Sequence, residues 1–545
     1  MMALRDILRG RGPDTLCLMV LWVLGTQAAE LPHFRAENGT EQLLVHGKPF
    51  LIRGGELGNS SAGTAVQADA ILPAMARLHV NTILMPVAWE QVEPKEGAFD
   101  FGILDHWIDI AREQHLHLVL LWFGAWKNAF SEYAPDWVKG DMKRFPRAQA
   151  AHGVPTEILS TFGTGTLRAD SRAFRSVMGH LREKDEEQQT VLMVQVENEM
   201  GYLGQGRDRS PEADREFDGP VPQELISGLA ARRAELSPEL EAHFNAQGRA
   251  WREVFGDAAN EAFMAWRYAI FVNSVVESGK KEYPLPMYVN AQLPSLMERP
   301  GEYPSGGPHP YYLAIYRAMA PAVDFYAPDI YWPEFEYWVK RYQIHGNPIF
   351  IPEAKMDSAP WNALYAYGAA KAIGFCPFGI DSLQPPAGAG DEPVMMQVYA
   401  AISSMEDMVT AAQNGGRTRG LALHANSPRA NQSVVLGGYV FEASLSRAWS
   451  TGMLLTNDGG MLLIESRPDE FFVVGSGLTV KMSRDPDTDA KTGGIASIEE
   501  VSRAGGAEWT VSARLNGDQS NQGRQLSMDP RRIRIYRVRL YGASQ

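Results

Sequence analysis

Two short segments carry residues whose types suit chemistry. Gln195-Val196-Glu197-Asn198-Glu199-Met200-Gly201-Tyr202 closes an apolar run that begins at Val191, and Ile349-Phe350-Ile351-Pro352-Glu353-Ala354-Lys355 closes another. A carboxyl placed behind a buried strand is costly unless it is paired or hydrogen bonded. Two such acids facing one cavity explain each other. Cleaving a glycosidic bond needs a protonated carboxyl to serve the leaving group and an ionised one across the anomeric carbon. Environment alone can hold two carboxyls in different protonation states. Strand alternation puts Glu197 and Glu199 on one face, with Glu199 nearer the open end, so Glu199 is the first candidate and Glu197 the second. The alternative reading of a lone acid at a strand end is a helix cap. The separation of Glu199 and Glu353 decides between retention, at about 5 to 5.5 Å, and inversion, at about 6.5 to 9.5 Å.

The elements that must hold these acids follow from short apolar runs bounded by turn residues. Eight strand-like runs occur: 50–54, 82–87, 116–122, 191–196, 287–290, 323–326, 349–351 and 373–378. Helix-like stretches separate them at 67–78, 103–114, 173–183, 262–278, 311–319, 335–344 and 364–370. Strand and helix alternating through eight strands predicts an α/β fold with a parallel sheet closed into a (β/α)₈ TIM barrel. The open doubly wound alternative lacks a Gly-x-Gly-x-x-Gly after its first strand. A charged, proline-broken stretch at about 204–256 reads as a rim insertion that packs the barrel edge or shapes the entrance. After residue 414 short strands and turns replace the alternation, including Met453-Leu454-Leu455 and Ile533 to Leu540, and predict a C-terminal antiparallel β-sandwich over 415–545.

A net charge of −14 argues against wrapping a nucleic acid and is silent about a neutral ligand such as a sugar. The first 29 residues read as a signal peptide, with Arg5, Arg9 and Arg11 before the apolar run Leu16 to Leu24 and small residues at Gln27-Ala28-Ala29. The expectation is a secreted protein, periplasmic or extracellular, without a transmembrane segment in the mature chain. Of the two cysteines, Cys17 lies in that signal, so Cys376 is left without an internal disulfide partner. His106, His115 and His117 are close in sequence but lack a metal-ligand spacing, and no metal or other cofactor is implied.

With these residues in hand, the chain resembles the retaining glycosidases built on (β/α)₈ barrels, which carry an acid/base Glu after Asn at the end of strand four and a nucleophilic Glu at the end of strand seven. Within them it resembles glycoside hydrolase family 35, the β-galactosidases, through Phe50-Leu51-Ile52-Arg53-Gly54-Gly55-Glu56-Leu57, through Asn81-Thr82-Ile83 with Val87-Ala88-Trp89-Glu90-Gln91-Val92-Glu93-Pro94, and through Pro135-Asp136-Trp137. The resemblance covers about residues 40 to 405. It implies Glu199 as acid/base, Glu353 as nucleophile and Asn198 on the sugar 2-hydroxyl. The chain departs from the family after strand three, where Trp126-Lys127-Asn128 stands in place of an acidic residue, and after strand one, where Glu56-Leu57-Gly58-Asn59 stands. Glu56, Trp126 and Asn128 are therefore expected to take over sugar contacts, with a core role as the alternative for Trp126. Asn290 at the end of strand five is expected to point inward and contact the sugar, and Tyr331 beyond strand six to line the same substrate site and orient the nucleophile. The expected activity is an exo-acting, retaining β-galactosidase, plausibly on plant cell-wall side chains. The alternatives are another sugar (β-glucoside, β-mannoside or α-L-arabinoside) or a non-catalytic carbohydrate-binding barrel.

Overall fold

The structure is a computed structural model that describes residues 30–383, 392–426, 431–488, 492–504 and 506–543; the segment 1–29, expected from the sequence to be a signal peptide, lies outside the described residues. Eight parallel strands close a barrel: β1 (Ile52–Glu56), β2 (Thr82–Ala88), β3 (His117–Lys127), β4 (Val191–Asn198), β5 (Met287–Gln292), β6 (Phe325–Ile330), β7 (Phe350–Ala354) and β8 (Gly374–Pro377). Each contains or adjoins one of the eight apolar runs. The ring closes where β8 pairs with β1 and where β4 pairs with β5, Met287 lying opposite Val194. Helices between the strands turn apolar faces onto the barrel wall. Gly102–Glu113 buries Leu104, Trp107, Ile108 and Ala111 at helical spacing.

The barrel interior is filled by alternating side chains. Val119, Leu121 and Phe123 of β3 meet Ile52, Leu84, Phe325 and Phe350 from other strands. A three-stranded N-terminal sheet, His33–Glu37, Thr40–Val45 and Lys48–Pro49, adds Leu43 and Val45 to this cluster and plugs the end away from the acids. Its strands are short and half polar, so they do not stand out from a loop in sequence. The rim insertion folds as short helices, among them Pro211–Phe217 and Gln223–Ala231, whose Phe217 joins Trp251 and Phe263 in an aromatic cluster.

Two antiparallel sheets, six- and four-stranded, follow the barrel. The middle of the six-stranded sheet is buried on both faces, while its edge strand Thr510–Leu515 is largely exposed. In strand Asp458–Arg467, Met461 and Leu463 face the smaller sheet, while Leu462 and Ile464 join the barrel's core. Met453-Leu454-Leu455, expected as a strand, makes only an isolated bridge from Leu454 to Arg447, and Met453 and Leu455 are exposed. An apolar triplet with no neighbouring strand to bury it stays a loop. No helix among the described residues is long and apolar enough to cross a membrane.

Candidate active site

The carboxyl ends of the strands bring four buried acids together at one mouth: Glu56 of β1, Glu199 just beyond β4, Asp329 of β6 and Glu353 of β7. Asp329 and Glu353 are register partners on adjacent strands. One oxygen from each of Glu199, Asp329 and Glu353 falls within 4.8 Å of the others. Acids this close face one another across a space that can hold a single reacting centre.

The backbone aims these side chains by leaving the pleat. Glu197 and Glu199 both have left-handed conformations, φ 62° and 46°, as do Asn128 at 49° and Ala129 at 65° just past β3. Such residues are uncommon without glycine and tend to gather where structure is over-determined. They are held by Ala129 N–H donating to Glu199 O at 3.1 Å and by Glu199 N–H donating to Asn290 Oδ1 at 3.0 Å. Gly201 lets the loop after β5 cross directly over this stretch, since a Cβ there would lie 2.3 Å from Pro304 backbone atoms.

These conformations overturn the shared face expected for Glu197 and Glu199. Glu197 turns into the wall between β3 and the helix Thr164–Asp185, where its Oε2 accepts Trp126 N–H at 2.8 Å and its carboxyl pairs with Asp170. Glu199 turns into the mouth. Asn128 donates its amide to Glu199 Oε2, so its side chain holds this carboxyl. Asn290 is spent at both ends, on Glu199 N–H and on Asp329 Oδ2 at 2.6 Å, which corrects the expectation that it reads sugar. Tyr331 donates its hydroxyl to Glu353 Oε1. Asn198 is fully buried with neither its amide nitrogen nor its oxygen partnered, and Glu353 Oε2 is likewise unpartnered.

Trp126 is corrected as well. Its ring lies edge-on to Tyr268 and Phe271 with centroids 5.0 and 4.5 Å away, and its indole N–H goes to Leu159 O at 3.1 Å. It is a wall residue behind the site. Of that triplet Asn128 reaches the mouth through Glu199, and Lys127, which sequence reasoning passed over, reaches it too. Alternation from Val119, Leu121 and Phe123 does not carry that far by itself, because the register with β4 shifts between Trp122 and Lys127 and Ala125 joins the same core cluster as Trp126.

Burial first, and the charge of the neighbouring Glu353 second, raise the Glu199 carboxyl to about 7. Burial also lifts Glu56 and Asp329 well above the usual carboxylate range, each reinforced by Glu353. Glu56 lies near Glu353, and Asp329 near Glu199, so that each neighbour favours the protonated form of the other acid, while neither oxygen of Glu56 has a hydrogen-bond donor. Against this stands one cation, Lys127, whose ammonium the surrounding carboxylates hold charged against the opposing effect of burial. Three acids with oxygens this close are also a geometry for a divalent ion, but an ammonium in the same mouth already supplies the countercharge.

Comparisons with known proteins bear on the two parts of the chain separately. A family model described as beta-galactosidase, that of glycoside hydrolase family 42, matches residues 62–255, roughly a third of the 545-residue chain. It is this family, rather than the family 35 that the sequence segments resemble, whose model matches, and the matched stretch includes Glu199 but ends before Glu353. A model described as a domain of unknown function (DUF5597) matches residues 395–527. No curated protein sequence matches the chain. Similar solved structures include a beta-mannanase from the blue mussel Mytilus edulis at 10% identity and TM-score 0.42, covering 69% of this chain and 97% of that one. Beta-galactosidases from Bacillus circulans sp. alkalophilus and the psychrophilic Marinomonas ef1 align at 12% and 13% identity, both with TM-score 0.45 and covering 66% of this chain. The chain spans 57% and 60% of those two proteins' own lengths.

Proposed function

We propose that the protein is a retaining, exo-acting β-galactosidase that removes terminal β-D-galactosyl residues from oligo- or polysaccharides. The observation that carries this reading is the pair Glu199 and Glu353, with one oxygen of each within 4.8 Å of the other, in a mouth whose nearby Asn198 amide is unpartnered. A carboxyl raised to about 7 is protonated at mildly acidic pH and suits the general acid. Glu353, with a Tyr331 O–H and the Lys127 charge beside it, suits the nucleophile. In the first step Glu353 attacks the anomeric carbon while Glu199 gives its proton to the departing oxygen. In the second, Glu199 takes a proton from water as that water displaces Glu353, and the sugar leaves with its configuration retained. Asn198 is placed to hold the 2-hydroxyl.

The choice of galactose leans on the beta-galactosidase family match and on the family 35 resemblance of the segments before and after β2. The N-terminal segment supports action outside the cytoplasm. A panel of aryl β-galactosides, β-glucosides, β-mannosides and α-L-arabinosides, with product stereochemistry followed by NMR, tests the reading. β-Galactose released first as the β-anomer is the expected result. Fastest release of another sugar would change the specificity, and first release of the α-anomer would overturn the retaining mechanism.

A further inference from the structure

Lys127 ends β3 beside Asn198 of β4, its register partner across the parallel pair. Its side chain is buried, with 5% of its surface exposed, and Nζ lies 5.2 Å above the Phe123 ring. Among the described residues no carboxylate oxygen lies within the 4.0 Å that would make an ion pair with it, and no acceptor takes its N–H groups. The four mouth acids balance its charge from a distance. Unlike the enclosed Asn198 amide, Nζ is not fully closed off, so its three donors can be reached from the mouth. The neighbouring Asn198 amide is equally unspent. Two adjacent strand ends therefore present two sets of free hydrogen-bonding groups, about 4.8 Å apart at the backbone.

We propose that Lys127 is a specificity residue of the sugar subsite, donating to the ring 3-hydroxyl while Asn198 holds the 2-hydroxyl. This rests on the glycosidase reading above and deepens it. Glu199 follows Asn198 and must reach the oxygen on the anomeric carbon, so Asn198 lies nearest C2. Lys127, the register partner of Asn198 on the neighbouring strand β3, then reaches the next hydroxyl. The substrate is thereby a neutral glycoside with a free 3-hydroxyl. A uronide would bring another negative charge among four carboxyls matched by one cation, and a 3-O-substituted residue would clash with the ammonium.

The test compares kcat/KM of wild type and Lys127→Met on an aryl β-galactoside, its 3-deoxy analogue and its 6-deoxy analogue. In wild type, loss of the 3-hydroxyl is expected to cost about 10- to 100-fold, the range for a hydrogen bond to a charged donor. Lys127→Met should lower the parent and the 6-deoxy substrate by a similar factor and the 3-deoxy substrate by less than about 3-fold, since the lost partner is already missing. An equal fall on all three would overturn the proposal and leave Lys127 a purely electrostatic role. Thermal melting checks that the variant is folded, and Lys127→Gln repeats the series if the Met variant is not. Should wild type cleave none of the panel, the glycosidase reading fails by itself. Calorimetric binding of galactose and 3-deoxygalactose to both proteins then decides on Lys127 separately, and equal affinities for the two sugars in wild type would overturn it.

Discussion

Two clusters of buried carboxyls stand back to back across β3 and β4. Asp170 and Glu197 sit in the wall; Glu56, Glu199, Asp329 and Glu353 sit in the mouth. Burial raises both wall acids as it raises three of the mouth acids, so a shifted titration does not tell the clusters apart. Their partners do. Asp170 accepts the Trp122 indole N–H at 2.9 Å, Glu197 accepts Trp126 N–H, and the two carboxyls close on one another. Gly124 leaves the room for this, because a Cβ there would lie 2.8 Å from an oxygen of each acid. In the mouth, by contrast, a lysine has no ion-pair partner and an asparagine amide is bare. The wall acids each take an N–H donor and leave their remaining oxygens, Asp170 Oδ2 and Glu197 Oε1, to face the paired carboxyl. A binding site keeps some unspent for a ligand.

The sharpest way to break this contrast is to remove one charge from each mouth acid. Glu353→Gln is expected to lower kcat by at least about 10⁴-fold on every substrate, as loss of a nucleophile does. Glu199→Gln should cost about 10²- to 10⁴-fold on unactivated glycosides and much less on aryl glycosides with good leaving groups in the first step, which need little protonation. Steady-state and burst kinetics on the two substrate types check both. Equal losses on both types in the Glu199 variant would remove it from the acid role.

Trp126→Ala tests the wall from its packing side. Truncating a buried indole is expected to cost about 3 to 5 kcal/mol of stability, read by denaturant unfolding. In whatever fraction stays folded, KM should change by less than about 3-fold, because the ring makes no contact with the mouth.

The mouth also dictates a pH dependence. With Glu199 raised to about 7, kcat/KM should fall on the alkaline side near that pH as its proton is lost. Asn128 donates to the carboxylate and favours its charged form, so Asn128→Ala should move the alkaline limb upward and lower the rate about 10-fold at the optimum. Stability runs the same way. Glu56, Glu199 and Asp329, with Asp170 and Glu197, hold protons in the folded state that an unfolded chain releases at lower pH. Their contribution is fully present below the unfolded carboxylate range and is lost as pH rises through the folded values, so Tm should fall from mildly acidic pH to pH above about 7. A Tm that rises over that window would contradict the buried, protonated acids.

The smallest effect should come from Glu197→Gln. Glutamine keeps the shape, accepts Trp126 N–H and offers Asp170 an N–H in place of the shared proton. kcat/KM is expected to stay within about 3-fold, against the hundredfold or greater loss for the same change two residues away. A fall as large as that of Glu199→Gln would mean that the wall pair belongs to the chemistry.

The barrel strands and the two principal acids were legible because their signals are local. An apolar run bounded by turns marks a strand, and an acid at its end marks the mouth, whatever the rest of the chain does. Asn198 and Tyr331 follow from the same neighbourhoods. Where each side chain points beyond the last regular residue was not local. Left-handed backbone at Glu197, Glu199 and Asn128 is held by Asn290, by the crossing loop at Pro304 and by an exchange of contacts between β3 and β4, all distant in sequence. Thus Glu197 and Glu199 part company, Trp126 goes to the wall and Asn290 is used up within the protein. Asp329 enters the mouth only because the register of β6 and β7 sets it beside Glu353. The sequence by itself determined that strand ends would gather acids at one end of a barrel, since hydrophobic period and strand polarity need no tertiary information. Which of those acids share a cavity, and which polar groups remain free to meet a sugar, only the closed structure decided, because burial and partnering belong to neighbours that the chain brings together last.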